Sequence, residues 1–243
     1  MSSHDLIKGD DGNDVLLGQV GNDEIYGGAG HDRIYALSGI DTLYGGEGAD
    51  SLFGGTGDEA GIDMPKMLYG GAGNDRIYAA QQRSNEMFGG EGNDYMGSES
   101  QQDNLMDGGA GNDEIVSAYG NDTLIGGAGD DRLTSTYGEA LIVAGIGNDR
   151  VTVSHGPDTI QFVADDGFSF STTEINDFHE ASGDTIILFE NTIDDFDDLV
   201  QNHLRNEDGN AQIYHDNFTI TLNDITAEEL ADPTQGWADN FVF

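Results

Sequence analysis

Through the first two thirds of the chain, apolar residues arrive singly and on schedule. Ile34 stands in GGAGHDRIY, Leu52 in GGEGADSLF, Ile77 in GGAGNDRIY, Ile115 in GGAGNDEIV and Leu133 in GGAGDDRLT, each the eighth residue of a nine-residue unit. The last three residues of a unit alternate outward, inward, outward, as a short strand does. The glycines at positions one, two and four permit backbone conformations that a residue with a Cβ resists, so this half reads as a turn.

The units form two interleaved rows. The first row starts at Gly9, Gly27, Gly45, Gly70, Gly89, Gly108, Gly126 and Ala144, at separations of 18, 18, 25, 19, 19, 18 and 18 residues. Looser copies fill the gaps, as in GQVGNDEIY from Gly18, ALSGIDTLY from Ala36, SAYGNDTLI from Ser117 and VSHGPDTIQ from Val153. All extra residues fall in this second row, the clearest being AGIDMPK, Ala60 to Lys66. Two units make one coil of 18 residues, and stacked coils bury single files of aliphatic residues. The predicted fold is all-β, a parallel β-roll of two sheets and about eight coils. One file holds Leu16, Ile34, Leu52, Ile77, Met96, Ile115, Leu133 and Val151; the other holds Ile25, Leu43, Leu68, Met87, Leu105, Leu124, Ile142 and Ile160.

The pattern stops abruptly. Of 37 glycines, 33 lie in residues 1–161, which predicts a roll over 1–161 and a C-terminal cap of mixed strands and short helices over 162–243. In the cap, TIDDFDDLVQNHL places Phe196, Leu199, Val200 and Leu204 at helical spacing, with aspartates early where the helix dipole favours them. AQIYHDNFTITL reads as a hairpin around Asp216 and Asn217, and Thr226 with Glu229 as a capping box. A solenoid needs such a cover over its open end.

Charge changes the picture from architecture to chemistry. The 243 residues carry 47 acidic against 8 basic side chains, a formal charge of -39. A compact form must suppress that self-repulsion, and nucleic acid and anionic membranes are poor partners. The absence of cysteine removes disulfides and thiolate metal sites. No apolar run has the length of a signal peptide or a membrane span. Export would take another route, without membrane insertion.

Position six of the first row reads Asp14, Asp32, Asp50, Asp75, Asp94, Asp113, Asp131 and Asp149 without exception. Stacking sets these carboxylates about 4.7 to 4.9 Å apart. A single Gly-Asn-Asp segment is an ordinary turn former, but ordinary turns need no carboxylate at one fixed position through eight copies. Such a file suits Ca²⁺, which takes six to eight oxygens from carboxylates and carbonyls in flexible geometry. Several ions are expected, up to seven between eight turns; Mg²⁺, with its stricter octahedral demand, is the runner-up. In the second row Asp23 and Asp41 are consecutive and can share an ion, whereas Glu59, Asn85 and Ala140 replace aspartate elsewhere, so partial or no occupancy is expected there.

These residues resemble the RTX family, whose repeat GGxGxDxUx stands almost unmodified at Gly27, Gly45, Gly70, Gly108 and Gly126. The resemblance implies a right-handed roll whose ions sit between adjacent loops. It carries the ligand set to the position-six aspartates and to the main-chain oxygens of Gly27, Gly28, Ala29 and Gly30; Gly45, Gly46, Glu47 and Gly48; Gly70, Gly71, Ala72 and Gly73; Gly89, Gly90, Glu91 and Gly92; Gly108, Gly109, Ala110 and Gly111; and Gly126, Gly127, Ala128 and Gly129. Asp10 in place of the second glycine and Ala144 in place of a first one depart from the pattern. The C-terminal DNFVF is similar to an uncleaved type I secretion signal, which implies a secreted, extracellular or cell-surface protein and the type I secretion apparatus as a partner.

Function is read as calcium-driven folding after export, serving extracellular binding or structure, and the chain is not expected to be an enzyme: it contains no HExxH, GxSxG or thiol. Two alternatives stay open. One is a detached C-terminal module of an RTX enzyme such as a protease, lipase or mannuronan epimerase, since nothing that reads as a catalytic domain precedes residue 9. The other is a polysaccharide-binding module. Tyr26, Tyr44, Tyr69 and Phe88 share position nine on one face, and Tyr35, Phe53 and Tyr78 on the other; such rows can stack on sugars or simply support neighbouring strands. Arg33, Arg76, Arg132 and Arg150 share position seven and can meet an anionic polysaccharide or soften the acidic surface.

Overall fold

A computed structural model describes residues 4–56, 64–162, 171–179, 183–188, 193, 195–215, 218–232 and 234–243. Short strands alternate between two sheets as the chain advances. The first sheet has 11 strands, beginning with Leu6–Lys8, Glu24–Ala29 and Thr42–Glu47, passing through Lys66–Ala72 and Asn85–Glu91, and closing with Thr185–Leu188 and Phe241–Val242. The second has 12, from Val15–Leu17 and Arg33–Tyr35 to Ser171–Asn176 and Phe218–Leu222, then an antiparallel edge of Asn210–His215 and Leu204–Glu207. All other pairings are parallel and join each strand to the one a full coil later, as Ile25 to Leu43 and Ile34 to Leu52. This is a parallel β-roll.

The two inward files meet as the core. Ile25, Leu43, Leu68, Met87, Leu124, Ile142 and Ile160 face Ile34, Leu52, Ile77, Met96, Ile115, Leu133 and Val151, all fully buried. Each such side chain stabilises the fold by roughly 1.5 to 3 kcal/mol relative to an exposed one. One predicted member is corrected. Leu105 is only half-buried, and Met106 is the inward residue, paired with Met87 and Leu124. The coil's register is fixed by the glycine pair that follows it, Gly108 and Gly109, so the extra residue is absorbed upstream and the file shifts by one.

The ladder runs past both ends of the repeats. Leu6–Lys8 adds a strand before Gly9, with Ile7 paired to Ile25. Beyond residue 161, Ile175 pairs with Val151 and Leu222, while Ile186 pairs with Ile160 and Phe241. The region after the composition step thus continues the same two sheets. Around it Phe178, Leu199, Ile213, Ile220 and Leu230 are buried in the same cluster, and Phe178 stacks on Trp237.

The helix after Asp195 consists of a turn Phe196–Asp198, capped by the Asp195 side chain, and a π-helical turn Leu199–His203. Leu204 does not extend it, a correction to the predicted spacing: it is extended and opens the strand Leu204–Glu207, where ladder bonds to Asn210–His215 replace helical ones. The capping box at Thr226 and Glu229 is formed. The hairpin strands pair as expected, while Asp216 and Asn217 at its tip lie outside the described residues.

Candidate metal centre

From Asp32 to Asp149, each first-row loop holds its aspartate with one oxygen and leaves the other without a partner among the described residues. The backbone N–H of Asp32 donates to Asp50 Oδ1 (2.7 Å), Asp50 to Asp75 (2.7 Å), Asp75 to Asp94 (2.7 Å), Asp94 to Asp113 (2.7 Å) and Asp113 to Asp131 (2.8 Å). The same bond links Asp14 to Asp32 and Asp131 to Asp149. Position six therefore forms a continuous column in which every carboxylate from Asp32 to Asp149 is oriented by the coil before it.

The second oxygens point inward. Oδ2 of Asp32, Asp50, Asp75, Asp94, Asp113, Asp131 and Asp149 is buried without a hydrogen-bond partner among the described residues. A buried, unpaired carboxylate oxygen is costly unless a cation meets it. Asp14, in the end coil, differs: its Oδ2 accepts from the Asp10 N–H at 3.0 Å, and the residue is half-buried. The backbone N–H of residue 10 thus helps satisfy the end carboxylate from within.

The first glycine of each unit is required by the space beside that oxygen. A Cβ on Gly27 would lie 2.4 Å from Asp32 Oδ2 and 2.4 Å from the Gly45 carbonyl oxygen; on Gly89 it would lie 2.3 Å from Asp94 Oδ2 and 2.5 Å from the Gly108 carbonyl. Gly45, Gly70, Gly108 and Gly126 repeat this arrangement with their own aspartate and the following coil's first carbonyl. The carboxylate of one loop and a carbonyl of the next thus converge on one small space. The second and fourth glycines have positive φ, as in Gly28 (118°) and Gly30 (139°). Third-position carbonyls of Ala29, Glu47, Ala72, Glu91, Ala110 and Ala128 each accept from the fourth-position N–H of the preceding coil, which pins the loops at one spacing.

Electrostatics make the column unstable by itself. Neighbouring carboxylates at strand spacing repel by about 3.5 kcal/mol per pair at an effective dielectric near 20. Burial raises the carboxyls of Asp75, Asp113 and Asp149 to about 6 and of Asp94 and Asp131 to about 7, with the preceding coil's N–H opposing the shift. Among the described residues no three acidic, histidine or cysteine side chains cluster tightly enough to hold an ion by themselves. Backbone oxygens must supply most of the shell, which fits a hard cation of high coordination number.

The second row is uneven. Asp23 and Asp41 repeat the first-row geometry, with Asp23 N–H donating to Asp41 Oδ1 at 2.9 Å and Asp23 Oδ2 unpartnered among the described residues. The expected position-six residue of the next coil was Glu59; it lies outside the described residues, and the register places Lys66 there, beside Asn85. The extra residues fall between Thr56 and Lys66, so Lys66 belongs to the coil. Asn85 and Asn104 follow with side-chain amides that do a cation's work: Asn85 Nδ2 donates to Ala80 O, Arg83 O and Asn104 Oδ1, and Asn104 Nδ2 to Ser98 Oγ, Gln102 O and Asp122 Oδ1. Ser117 Oγ donates to Asp122 Oδ2.

Two features escaped the sequence reading. Asp158 has the first-row geometry in the second row, its Oδ1 accepting from Ala140 N–H and its Oδ2 unpartnered among the described residues; position six of VSHGPDTIQ was the available signal. Position five forms its own exposed ladder. Asn93 N–H donates to Asn74 Oδ1, Asn112 to Asn93 and Asp130 to Asn112, which explains why asparagine precedes the aspartate so often.

The aromatic rows exist as ladders. Tyr26, Tyr44, Tyr69 and Phe88 stack at 4.6 to 5.0 Å, and Tyr35, Phe53 and Tyr78 at 4.7 to 5.1 Å, nearly parallel. Ring faces within a ladder are occupied by one another. Arg132 and Arg150 are neighbours between Glu114 and Glu174, and Arg150 pairs with Glu174 at 2.5 Å.

Fold and site together define a calcium-binding parallel β-roll. The RTX calcium-binding nonapeptide repeat (4 copies) model matches residues 2–34, 26–58, 67–84, 82–105 and 107–138, and the chain belongs to that family. The gap between the second and third matches contains Lys66. Comparison with curated proteins finds no match. Among the described residues no helix is long and apolar enough to cross a membrane.

Proposed function

We propose that the protein is exported and that its roll folds as calcium closes the first-row column outside the cell. The observation that carries this reading is the run of seven buried Oδ2 atoms without partners, Asp32 to Asp149. In the metal-free chain their burial and mutual repulsion oppose stacking, and the loop glycines leave room for no side-chain donor beside them. Asp32, Asp50, Asp75, Asp94, Asp113, Asp131 and Asp149 would hold the ions with carbonyls of the adjacent loops. Calcium supplies the positive charge; binding then acts as folding free energy.

The C-terminus supports an export role. Phe241–Val242 pairs with Thr185–Leu188 at the end of the first sheet, and Phe241 is buried. A type I signal in that segment would be open to the export apparatus in the unfolded chain and closed once the roll forms. The biological role is one of extracellular binding or structure and not catalysis. An anionic polysaccharide is a weaker partner than the sequence suggested, because the ladder rings cover each other's faces and Arg150 is ion-paired.

Circular dichroism of the full chain in EGTA and in calcium tests the reading. β-structure is expected to form only on adding calcium; equal β content in both would defeat it.

A further inference from the structure

One second-row interval already contains its cation as part of the chain. Lys66, one of two lysines in the sequence, has a wholly buried side chain. Its Nζ lies 3.0 Å from Asp41 Oδ2 and donates to the carbonyls of Leu37 (3.1 Å), Gly54 and Thr56 (3.3 Å). Leu37 and Asp41 belong to one second-row loop, Gly54 and Thr56 to the next. The ammonium therefore sits between two successive loops and is held by oxygens of both, an aspartate among them.

Leu37 is left-handed (φ 66°), like its row neighbours Gln19 (74°) and Gly55 (78°), so the turn belongs to the second-row loop itself. Its carbonyl accepts from the Thr56 N–H at 2.7 Å as well as from Lys66. A first-row interval is flanked by two aspartates and suits a divalent ion, whereas here a lysine stands where one aspartate would be and brings its own positive charge to Asp41. The next position-six residues, Asn85 and Asn104, are neutral and donate their own protons.

We propose that Lys66 is a tethered cation that takes the place of a calcium ion between the Asp41 loop and the loop of Gly54 to Thr56, so that this interval binds no metal. The inference rests on the reading that calcium closes the first row.

Native mass spectrometry of the full chain in calcium tests it with two substitutions. Lys66→Ala keeps Asp41 Oδ2 and the three carbonyls around a vacated space, and is expected to bind one calcium more than the wild type. Lys66→Met fills the space without charge and is expected to show the wild-type count with a lower thermal midpoint. A folded Lys66→Ala protein with the wild-type ion count would overturn the proposal alone; a wild type that binds no calcium would overturn it together with the first-row reading. Should the alanine variant not fold, nitrogen NMR of the wild type decides. The Lys66 ammonium must be protected from solvent exchange and unmoved during a calcium titration of the folded protein; exchange as fast as that of Lys8 sinks the idea.

Discussion

Replacing Asp94 by asparagine should change the sign of its effect with calcium. Asp94 is central in the first-row column: its Oδ1 accepts from the Asp75 N–H at 2.7 Å, its own N–H donates to Asp113 Oδ1 at 2.7 Å, and its Oδ2 is buried without a partner among the described residues. The Asp94→Asn variant would retain both column bonds, because an amide Oδ1 still accepts and the backbone is unchanged. What disappears is one negative charge. Without calcium that removes two neighbour repulsions of about 3.5 kcal/mol each as an upper bound, plus the cost of burial, so a net gain of about 2 to 4 kcal/mol is expected after solvent screening. With calcium the same change withdraws a charged ligand from the intervals on both sides. Taking the lower end of a charged contact, each interval loses about 2 kcal/mol, roughly a thirtyfold loss of affinity.

The assay is far-UV circular dichroism under two conditions. In EGTA, with an excluded osmolyte driving collapse, Asp94→Asn should acquire β-structure at lower osmolyte than the wild type. In saturating calcium it should melt earlier and hold fewer ions. Destabilisation of equal size in both conditions would show that Asp94 is a structural side chain with no part in metal binding, and the electrostatic argument would fail.

Other outcomes follow from the same geometry. Gly70→Ala sets a Cβ 2.4 Å from Asp75 Oδ2 and 2.6 Å from the Gly89 carbonyl, and should weaken calcium-dependent melting by about 2 to 3 kcal/mol, whereas Gly209→Ala, with nothing within 4 Å, should cost only its backbone strain at φ 88°, about 1 kcal/mol. Asn85→Ala strands the buried N–H and carbonyl of Ala80, while the Arg83 carbonyl keeps Ser100 Oγ as a donor; a loss of about 2 to 3 kcal/mol is expected by urea melting, of the same size across calcium concentrations that keep the roll folded. Acid should release calcium: Asp75, Asp94, Asp113, Asp131 and Asp149 have carboxyls raised to about 6 or 7 by burial, so ions and protons compete between about pH 7.5 and 5.5. Raised carboxyls favour the metal-free fold below the unfolded value near 3.8 and oppose it increasingly as pH rises through 6 to 7. Calorimetry on the metal-free roll held folded by an excluded osmolyte, in buffers of different ionisation heat, should therefore show proton release on calcium binding at about pH 6.5, and none would contradict the buried column.

What the sequence disclosed is what the loops constrain. Glycines at fixed positions and an aspartate at the sixth can be satisfied only by repetition, so the coil length, the column from Asp32 to Asp149 and the Ile34 to Val151 file were all legible. A strand of three residues needs only one inward apolar side chain, and that demand is too weak to mark Leu6–Lys8 before the first glycines. The slip from Leu105 to Met106 and the placement of Lys66 share a cause. Second-row loops of irregular length carry no internal phase, so register comes from the pairing of strands across the sheet, which one chain's spacing does not reveal. Asn85 stands out in the sequence as a departure from aspartate; its donor role, and that of Asn104, depends on carbonyls that only the folded loops bring together.

The central claim is that buried carboxylates of successive loops are joined by calcium. Anomalous scattering from crystals grown in calcium addresses it directly. The account predicts density between consecutive first-row loops, within about 2.3 to 2.6 Å of the Oδ2 atoms of Asp32 through Asp149 and of carbonyls from both loops. A column of ordered loops without that density, its carboxylates met by protein donors instead, would contradict it.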